Sequence, residues 1–247
     1  MCQVGQAGGP FVKALIVLPP RPGPTLMPHP VAFVTIGQSP RADVLPEILA
    51  EVRTPIAPTE RGVLDDLTLP DIRALEPGPA DECLVSRLRD GTEVLLAKSA
   101  IESRLRDEFA TLDKQGFDLI VLLCTGHFGT FHLKTPFLEP QHAVDHFVQG
   151  LTYGVRKLGV LLPAAQQIDE FHGIPGAETA FAFASPYTGN SEAELAVAAE
   201  TLSGTEAIVM HCMGFTEKMR RQVMTTARRP VHLSRRIVAH AIDLILS

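Results

Sequence analysis

Two short apolar runs, each closed by a cysteine and a glycine, most constrain the fold of this chain. The first spans Asp118–Gly129 (DLIVLLCTGHFG) and reaches Cys124, and the second spans Glu206–Phe215 (EAIVMHCMGF) and reaches Cys212. Short runs in which every residue is apolar are typical of parallel strands that are covered on both faces. Because an open α/β sheet carries its chemistry just beyond the carboxyl ends of its strands, both cysteines are candidate site residues.

The same runs indicate a repeated architecture. VAFVTI at Val31–Ile36 predicts a first strand, and KLGVLL at Lys157–Leu162 predicts the strand at which the pattern restarts. Each half then leads to its own Cys-x-Gly strand, which resembles an internal duplication. We therefore expect an α/β fold with two halves, residues 31–154 and 155–247, and with the last helix of the first half as a candidate to pack on the second.

The first 30 residues stand apart from this pattern. Six prolines between residues 19 and 30 disfavour regular structure, and Met27 lies just before the first predicted strand. We interpret residues 1–30 as a disordered or misassigned N-terminal extension.

Composition narrows the class of function. The formal net charge is −6, whereas a nucleic-acid binder normally presents a basic face, so no nucleic-acid partner is expected. No apolar run reaches the roughly 18 residues of a membrane span, so no membrane partner is expected. Four cysteines without close spacing favour a reducing, cytoplasmic location over a disulfide framework. The arginine pairs at 220–221, 228–229 and 235–236 are interpreted as solvated helix ends.

The loop after the first strand is a candidate for ligand contact. Gly37 and Gln38 follow the strand, and the Ser39 hydroxyl can accept from backbone N–H groups. Arg41 adds a cation whose planar fork suits a carboxylate or a phosphate, with an ordinary surface arginine as the alternative. Asp43 is predicted to be the N-cap of the helix that follows.

Two further segments complete the pattern. Asp90-Gly91 separates two strand-like stretches and predicts a type I′ hairpin at a sheet edge. A helix is predicted around Gln141–Tyr153, because apolar residues recur there at helical spacing and would form its buried stripe: Ala143, Val144, Phe147, Val148 and Leu151.

The two cysteines suggest proton transfer. A cysteine at a helix N-terminus has a lowered pKa and forms the reactive thiolate more readily. Two strand-end cysteines related by a pseudo-twofold axis could flank one small ligand, so that one thiolate removes a proton from an acidic carbon and the other thiol returns one to the opposite face. The backbone N–H groups of Thr125-Gly126 and Met213-Gly214, with the Thr125 hydroxyl, would hold the carboxylate and its developing charge. Such a reaction needs neither a metal nor an organic cofactor.

Three alternatives remain open at this point. Buried strand cysteines most often only pack against their neighbours. A metal site would draw on both cysteines and on His127, His132 and His211, although no CxxC or HExxH motif is present. A Ser-His-Asp hydrolase is weaker, since the chain contains no G-x-S-x-G.

Several longer motifs resemble those of a known family. In chain order they are VTIGQSPRADVLPEI, LDKQGFDLIVLLCTGHF, TPFLEP, HCMGF and PVHLSRRIVAHAIDLI, and they extend from about Val31 to Leu246. On these motifs the chain resembles the bacterial AroM family, within the Asp/Glu/hydantoin racemase superfamily. The resemblance implies two pseudo-symmetric Rossmann-like halves with a ligand cleft between them. It also implies cofactor-independent racemisation, isomerisation or decarboxylation of a small carboxylate or a related compound.

The resemblance also implies roles for particular positions. Cys124 and Cys212 correspond to the two superfamily cysteines. Thr125 and Gly126 match the carboxylate-binding residues after the first of them, and Gly37–Ser39 match the loop after the first strand.

This chain departs from the superfamily at both cysteines. Many superfamily racemases read Cys-Asn-Thr and Cys-Thr, whereas this chain reads Cys-Thr-Gly and Cys-Met-Gly. The missing amide and hydroxyl donors disfavour plain glutamate or aspartate racemisation. Arg41 and His127 are candidates for replacement contacts to a different acid.

We therefore expect a racemase or isomerase that acts on a small carboxylate by thiol and thiolate proton transfer, without a cofactor. One alternative is a non-catalytic carboxylate-binding or regulatory protein that keeps the cleft. A second alternative is a decarboxylase of a malonate-like acid. A homodimer is the candidate assembly.

Overall fold

The computed structural model describes residues 27–171 and 173–247. Most of the expected N-terminal extension, residues 1–26, lies outside the described residues, so its interpretation stays a prediction. The first strand, β1 (His29–Thr35), begins two residues before the predicted one.

Four parallel strands, numbered in chain order, form the first sheet. β1 pairs with β2 (Ile56–Gly62) on one side and with β5 (Leu119–Leu122) on the other, and β5 pairs with β6 (Phe137–Leu138). Three helices lie along the connections between these strands: α1 (Leu45–Glu51), α2 (Leu69–Arg73) and α3 (Lys98–Leu112).

A second parallel sheet repeats the first. β7 (Lys157–Leu162) pairs with β8 (Glu178–Phe183) and with β9 (Ala207–Met210), and β9 pairs with β10 (Val231–Leu233). The strand orders β2-β1-β5-β6 and β8-β7-β9-β10 are the same pattern. The strand that precedes Cys124 and the strand that precedes Cys212 therefore occupy equivalent positions, and the α/β fold with mainly parallel sheets is confirmed.

Five helices accompany the second sheet or join it to the first: α4 (Pro140–Leu151), α5 (Gln167–Glu170), α6 (Ser191–Thr201), α7 (Glu217–Ala227) and α8 (Ser234–Leu246). α8 packs against both α1 and α4. None of the helices within the described residues is long and apolar enough to cross a membrane.

Successive residues of a strand point into two different cores, which explains why the strands are apolar on both faces. Val31 and Phe33 of β1 belong to a core shared by the two sheets, whereas Ala32 and Val34 face a separate core under α3. β9 divides in the same way, with Val209 in the shared core and its neighbours in a third core. Because each sheet is covered on both sides, polar groups reach a ligand only beyond the strand ends.

The hairpin differs from the prediction. β3 (Cys83–Arg87) and β4 (Glu93–Ala97) pair with each other as a separate two-stranded antiparallel sheet, and not at the edge of a parallel sheet. The turn is not type I′, because Gly91 has φ +95° while Asp90 keeps a negative φ. The hairpin instead lies beside the carboxyl ends of the strands, where β3 forms one wall of the cleft described below.

The predicted buried stripe of α4 is only partly correct. Val144 and Val148 are fully buried in the shared core, but Phe147 is 41% and Leu151 54% exposed. A second, polar stripe on the same helix lines the cleft. The core therefore covers α4 at Val144 and Val148 and leaves Phe147 and Leu151 partly exposed.

Candidate active site

A cleft of about 280 Å³ opens where the carboxyl ends of the two sheets meet. Its floor includes the residues that follow β5 and β9, so Cys124 and Cys212 line the same space. The Cys124 sulfur accepts the Gly126 N–H at 3.2 Å, and the Cys212 sulfur accepts the Gly214 N–H at 3.3 Å. The two thiols therefore have matching local geometry in the two halves.

Both thiols are protonated at neutral pH. Burial raises the pKa of Cys124 to about 12, although the Gly126 N–H and the charge of Arg41 act in the opposite direction. Burial likewise raises the pKa of Cys212 to about 11.

The expectation that a helix N-terminus lowers these pKa values is not met. The chain after β5 runs as a loop as far as β6, and α7 begins only at Glu217, five residues after Cys212. With no helix N-terminus at the sulfur, burial dominates.

Arg41 lies at this floor and is 4% exposed. Its fork is occupied by Asp43, to which Nε and Nη2 each donate at 2.8 Å. Nη1 donates to the Thr35 hydroxyl at 3.0 Å, and Nη2 donates to the Tyr187 hydroxyl at 2.9 Å. Since a guanidinium has five N–H groups, one remains for a ligand.

Asp43 holds this arginine and does not cap α1. The N-cap of α1 is Val44, without a side-chain hydrogen bond. Burial alone would lower the pKa of Arg41, but the hydrogen bonds and charge of Asp43 raise it. A buried guanidinium needs a counter-charge more than a helix start needs a cap, because caps contribute only about 1 kcal/mol.

In the loop after β1, Ile36 and Arg41 line the cleft, but Gly37, Gln38 and Ser39 do not. The Gln38 side chain accepts from the Arg89 N–H at 3.0 Å, and the Ser39 hydroxyl donates to Asp65 at 2.6 Å. Gly37 packs so closely on the hairpin that a Cβ there would lie 2.4 Å from the Arg87 carbonyl oxygen. The structure thus places Gly37, Gln38 and Ser39 in a supporting network beside the site.

The predicted residues next to each cysteine do line the cleft. Thr125, Gly126 and His127 follow the first cysteine, and Met213 and Gly214 follow the second. The Thr125 hydroxyl donates across the cleft floor to the carbonyl of His211 at 3.2 Å, which ties the two cysteine loops together. Gly214 is required by close packing, since a Cβ there would lie 2.4 Å from the Tyr187 hydroxyl oxygen.

Two groups of residues at the site were missed in the sequence. The first is the polar stripe of α4, formed by Gln141, Asp145 and Gln149, which lines the cleft. Its signal was available, because a spacing of four places these side chains on one helix face. Asp145 also bonds His211, whose Nε2 lies 2.9 Å from a carboxylate oxygen.

The second is Arg235, which corrects the interpretation of the pair 235–236 as a solvated helix end. Arg235 is 1% exposed. It donates to the Met213 carbonyl at 3.2 and 2.6 Å, to the Asp43 carbonyl at 3.1 Å and to Glu47 at 2.8 Å. It therefore holds the backbone directly after Cys212 against the start of α1.

The residues considered for a metal site are spread out. His132 does not line the cleft, and His211 is occupied by Asp145. Within the described residues, no three His, Cys, Asp or Glu side chains lie close enough together to hold a metal ion.

The fold is similar to that of several solved proteins. Glutamate racemase from Aquifex pyrophilus matches with a TM-score of 0.55 and 11% identity, over 88% of this chain and 84% of that chain. The Nocardia farcinica maleate cis-trans isomerase matches with a TM-score of 0.54 and 12% identity, over 88% and 92% of the two chains. An arylmalonate decarboxylase matches with a TM-score of 0.54 and 15% identity, over 88% and 93%. At these identities the likeness concerns the fold alone, which is that of the Asp/Glu racemases.

Sequence comparison gives the family. No curated protein sequence matches the chain significantly. The family model described as AroM protein matches residues 31–246, which is almost the whole described chain. The chain therefore belongs to the AroM family.

Proposed function

We propose that the protein catalyses proton transfer at the carbon next to the carboxylate of a small acid, as a cofactor-independent racemase or isomerase. Cys124 and Cys212 form the acid/base pair. The observation that carries this proposal is the equivalence of the two thiols, each of which follows the matching strand of its sheet and lines the same cleft. The three solved proteins named above are a racemase, a cis-trans isomerase and a decarboxylase, so this fold accommodates each reaction class considered.

The proposed step is balanced in atoms and electrons. One cysteine, as thiolate, takes the proton from the substrate carbon, and the electron pair of the broken C–H bond passes into an enediolate. The other cysteine, as thiol, gives its proton to the opposite face of that carbon. The centre is inverted, and thiol and thiolate have exchanged places. Backbone N–H groups beside the cysteines stabilise the developing negative charge.

A second candidate, decarboxylation of a malonate-like acid, is favoured by the protonated state of the thiols. Forming a thiolate at pH 7 from a thiol whose pKa is about 11 costs about 5 kcal/mol. Loss of carbon dioxide needs no base: the C–C bond breaks, its electron pair forms the enediolate, and one thiol protonates the carbon. The resulting thiolate regains its proton from water.

Proton NMR in D₂O separates these reactions. The protein is incubated with amino acids, hydroxy acids, hydantoins and substituted malonates, and deuterium at the α-carbon is followed with time. We expect deuterium to enter one compound, and expect the rate to fall in Cys124→Ser and in Cys212→Ser. Release of carbon dioxide from a malonate, lost in only one of the two variants, would assign the decarboxylase instead.

Other outcomes would contradict the proposal. Wild-type exchange in both single variants would refute the two-cysteine mechanism. A ligand that raises the melting temperature without exchanging or losing carbon dioxide would favour a binding protein. Thermal melting of each variant without ligand shows whether a lost activity reflects lost folding.

A further inference from the structure

Each of the two cations that line the cleft has a carboxylate partner. Arg41 is paired through its fork with Asp43, and Lys98 forms an ion pair with Glu82. Among the described residues of the lining, these are the only arginine and lysine. Arg87 also lies 3.6 Å from Asp43, so positive charge remains at the Arg41 end of the cleft, where the ligand carboxylate is placed, whereas the charge of Lys98 is matched by Glu82.

Two carboxylates in the lining have no cationic partner among the described lysines and arginines. Glu170 accepts the Cys83 backbone N–H at 2.9 Å. Asp145 is bonded to His211 and to the amide nitrogen of Gln141. Burial raises the pKa of Glu170, while the Cys83 N–H and the charge of Lys98 act in the opposite direction.

Three glutamine side chains make this wall richer still in hydrogen-bond acceptors. The amide nitrogen of Gln141 donates to Asp145, that of Gln149 to the Pro175 carbonyl and that of Gln167 to the Cys83 carbonyl. Because each partner is an acceptor, the bonded atom must be nitrogen, and each side chain keeps its amide oxygen and one further N–H.

Gln141 shows where these oxygens point. It is 8% exposed, it lines the cleft, and its oxygen has no partner in the described chain. An acceptor held in this way calls for a donor on the ligand.

Strand β3 separates this wall from the far end of the cleft. The Cys83 end is bonded to Gln167 and Glu170, whereas the Arg87 guanidinium lies 5.8 Å from the Tyr187 ring at the other end. Four residues of strand span about 13 Å. Glu170 and Gln167 therefore lie at the opposite end of β3 from the place where Tyr187 contacts Arg41.

We infer that the cleft selects a small carboxylate whose other end is a cationic N–H donor, and that Glu170, Asp145 and Gln141 bind that end. The inference rests on the proposed function, since it takes the substrate carboxylate to lie beside the cysteines. A dicarboxylate is disfavoured, because its second carboxylate would face Glu170 and Asp145. The ligand inferred for this chain therefore differs from the acids after which the similar glutamate racemase and maleate isomerase are named.

Three probes of similar length test the inference: ornithine, glutamine and glutamate, which end in an ammonium, an amide and a carboxylate. Binding is measured by calorimetry at millimolar concentrations with the full chain. We expect ornithine to bind about tenfold more tightly than glutamate, with glutamine between them. Glu170→Gln, which keeps an oxygen for the Cys83 N–H, should remove most of this preference.

Glu178→Gln is the matched control. Glu178 is an exposed carboxylate on β8 that pairs with Lys157 at 3.4 Å and does not line the cleft, so the preference should be unchanged. Tighter binding of glutamate, equal binding of all three probes, or no detectable binding of ornithine would each overturn the inference. Deuterium exchange on the same probes keeps the two proposals distinguishable. Ornithine that binds best without exchange supports the selectivity alone, and glutamate that binds best and exchanges supports the catalytic function and contradicts the selectivity.

Discussion

Replacing Arg235 by methionine tests whether this buried arginine supports the second cysteine loop. Arg235→Met removes four hydrogen bonds, and leaves the buried carbonyls of Met213 and Asp43 without these donors. Removing one partner of a buried charge pair costs about 3–5 kcal/mol, and hydrogen bonds to charged groups contribute about 1.5–3 kcal/mol each. The Glu47 side chain is 42% exposed and can be rehydrated, so the lower end applies. We expect a loss of about 3 kcal/mol in the free energy of unfolding.

Differential scanning calorimetry and urea unfolding measure this loss. For a chain of this length, about 3 kcal/mol corresponds to a fall in melting temperature of roughly 6–12 °C. Arg236→Met is the matched control, because Arg236 is the next residue on α8, is 41% exposed and lies 3.8 Å from Glu51. Its replacement should cost less than about 0.5 kcal/mol. Small and equal effects of the two substitutions would refute the structural role of Arg235.

Three further predictions follow from the site and its surroundings. Burial raises the pKa of Cys124 to about 12 and of Cys212 to about 11. The rate of their alkylation by iodoacetamide should therefore be low at neutral pH and rise about tenfold for each pH unit above it. A rate that reaches a plateau below about pH 9 would contradict this. Gly214→Ala, which puts a Cβ 2.4 Å from the Tyr187 hydroxyl oxygen, should cost about 1–3 kcal/mol in urea unfolding, and an unchanged midpoint would argue against the close contact. A hydrogen bond from Arg220 lowers the pKa of Glu217 to about 2, so the contribution of Glu217 to stability is complete above about pH 4.5 and is lost as the pH falls towards 2. Glu217→Gln should flatten the dependence of unfolding free energy on pH in this range. An unaltered dependence would exclude the contribution.

The strands and the cleft lining that the sequence predicted are those set by short-range pattern. Five consecutive aliphatic residues before Cys124 can be covered only inside a doubly covered sheet, so the strand and its end were readable. The second run gave the equivalent strand before Cys212. Each cysteine was expected at the carboxyl edge of its own sheet, and the expected pseudo-twofold relation between the halves brought both to a single cleft.

The parts that were missed depend on partners far apart in the chain. Nothing near Arg235 in sequence indicates that the Met213 and Asp43 carbonyls will surround its guanidinium. Asp43 has the residue type and the position of an N-cap. The Asp43 carboxylate instead accepts hydrogen bonds from Arg41, because that arginine is buried. The loop at Gly37–Ser39 was placed at the ligand from its position after a strand and from the family resemblance, whereas the hairpin, whose position no local pattern specifies, occupies that side of the cleft.

These long-range contacts bear on how the site works. The Thr125 hydroxyl joins one cysteine loop to the backbone just before the other, and Arg235 holds the backbone just after it. The thiols are therefore held in place by the protein before any ligand arrives, which is the preorganisation that electrostatic catalysis requires. Under the proposed function, a substrate would not have to bring the thiols together and would only have to alter their protonation. An approaching carboxylate adds negative charge and so makes a thiolate harder to form, whereas a cationic group on the same ligand offsets that charge. A ligand with a cationic end is thus the kind that would permit two-base proton transfer in this cleft, and a purely anionic ligand would leave the thiols as acids, suited to decarboxylation.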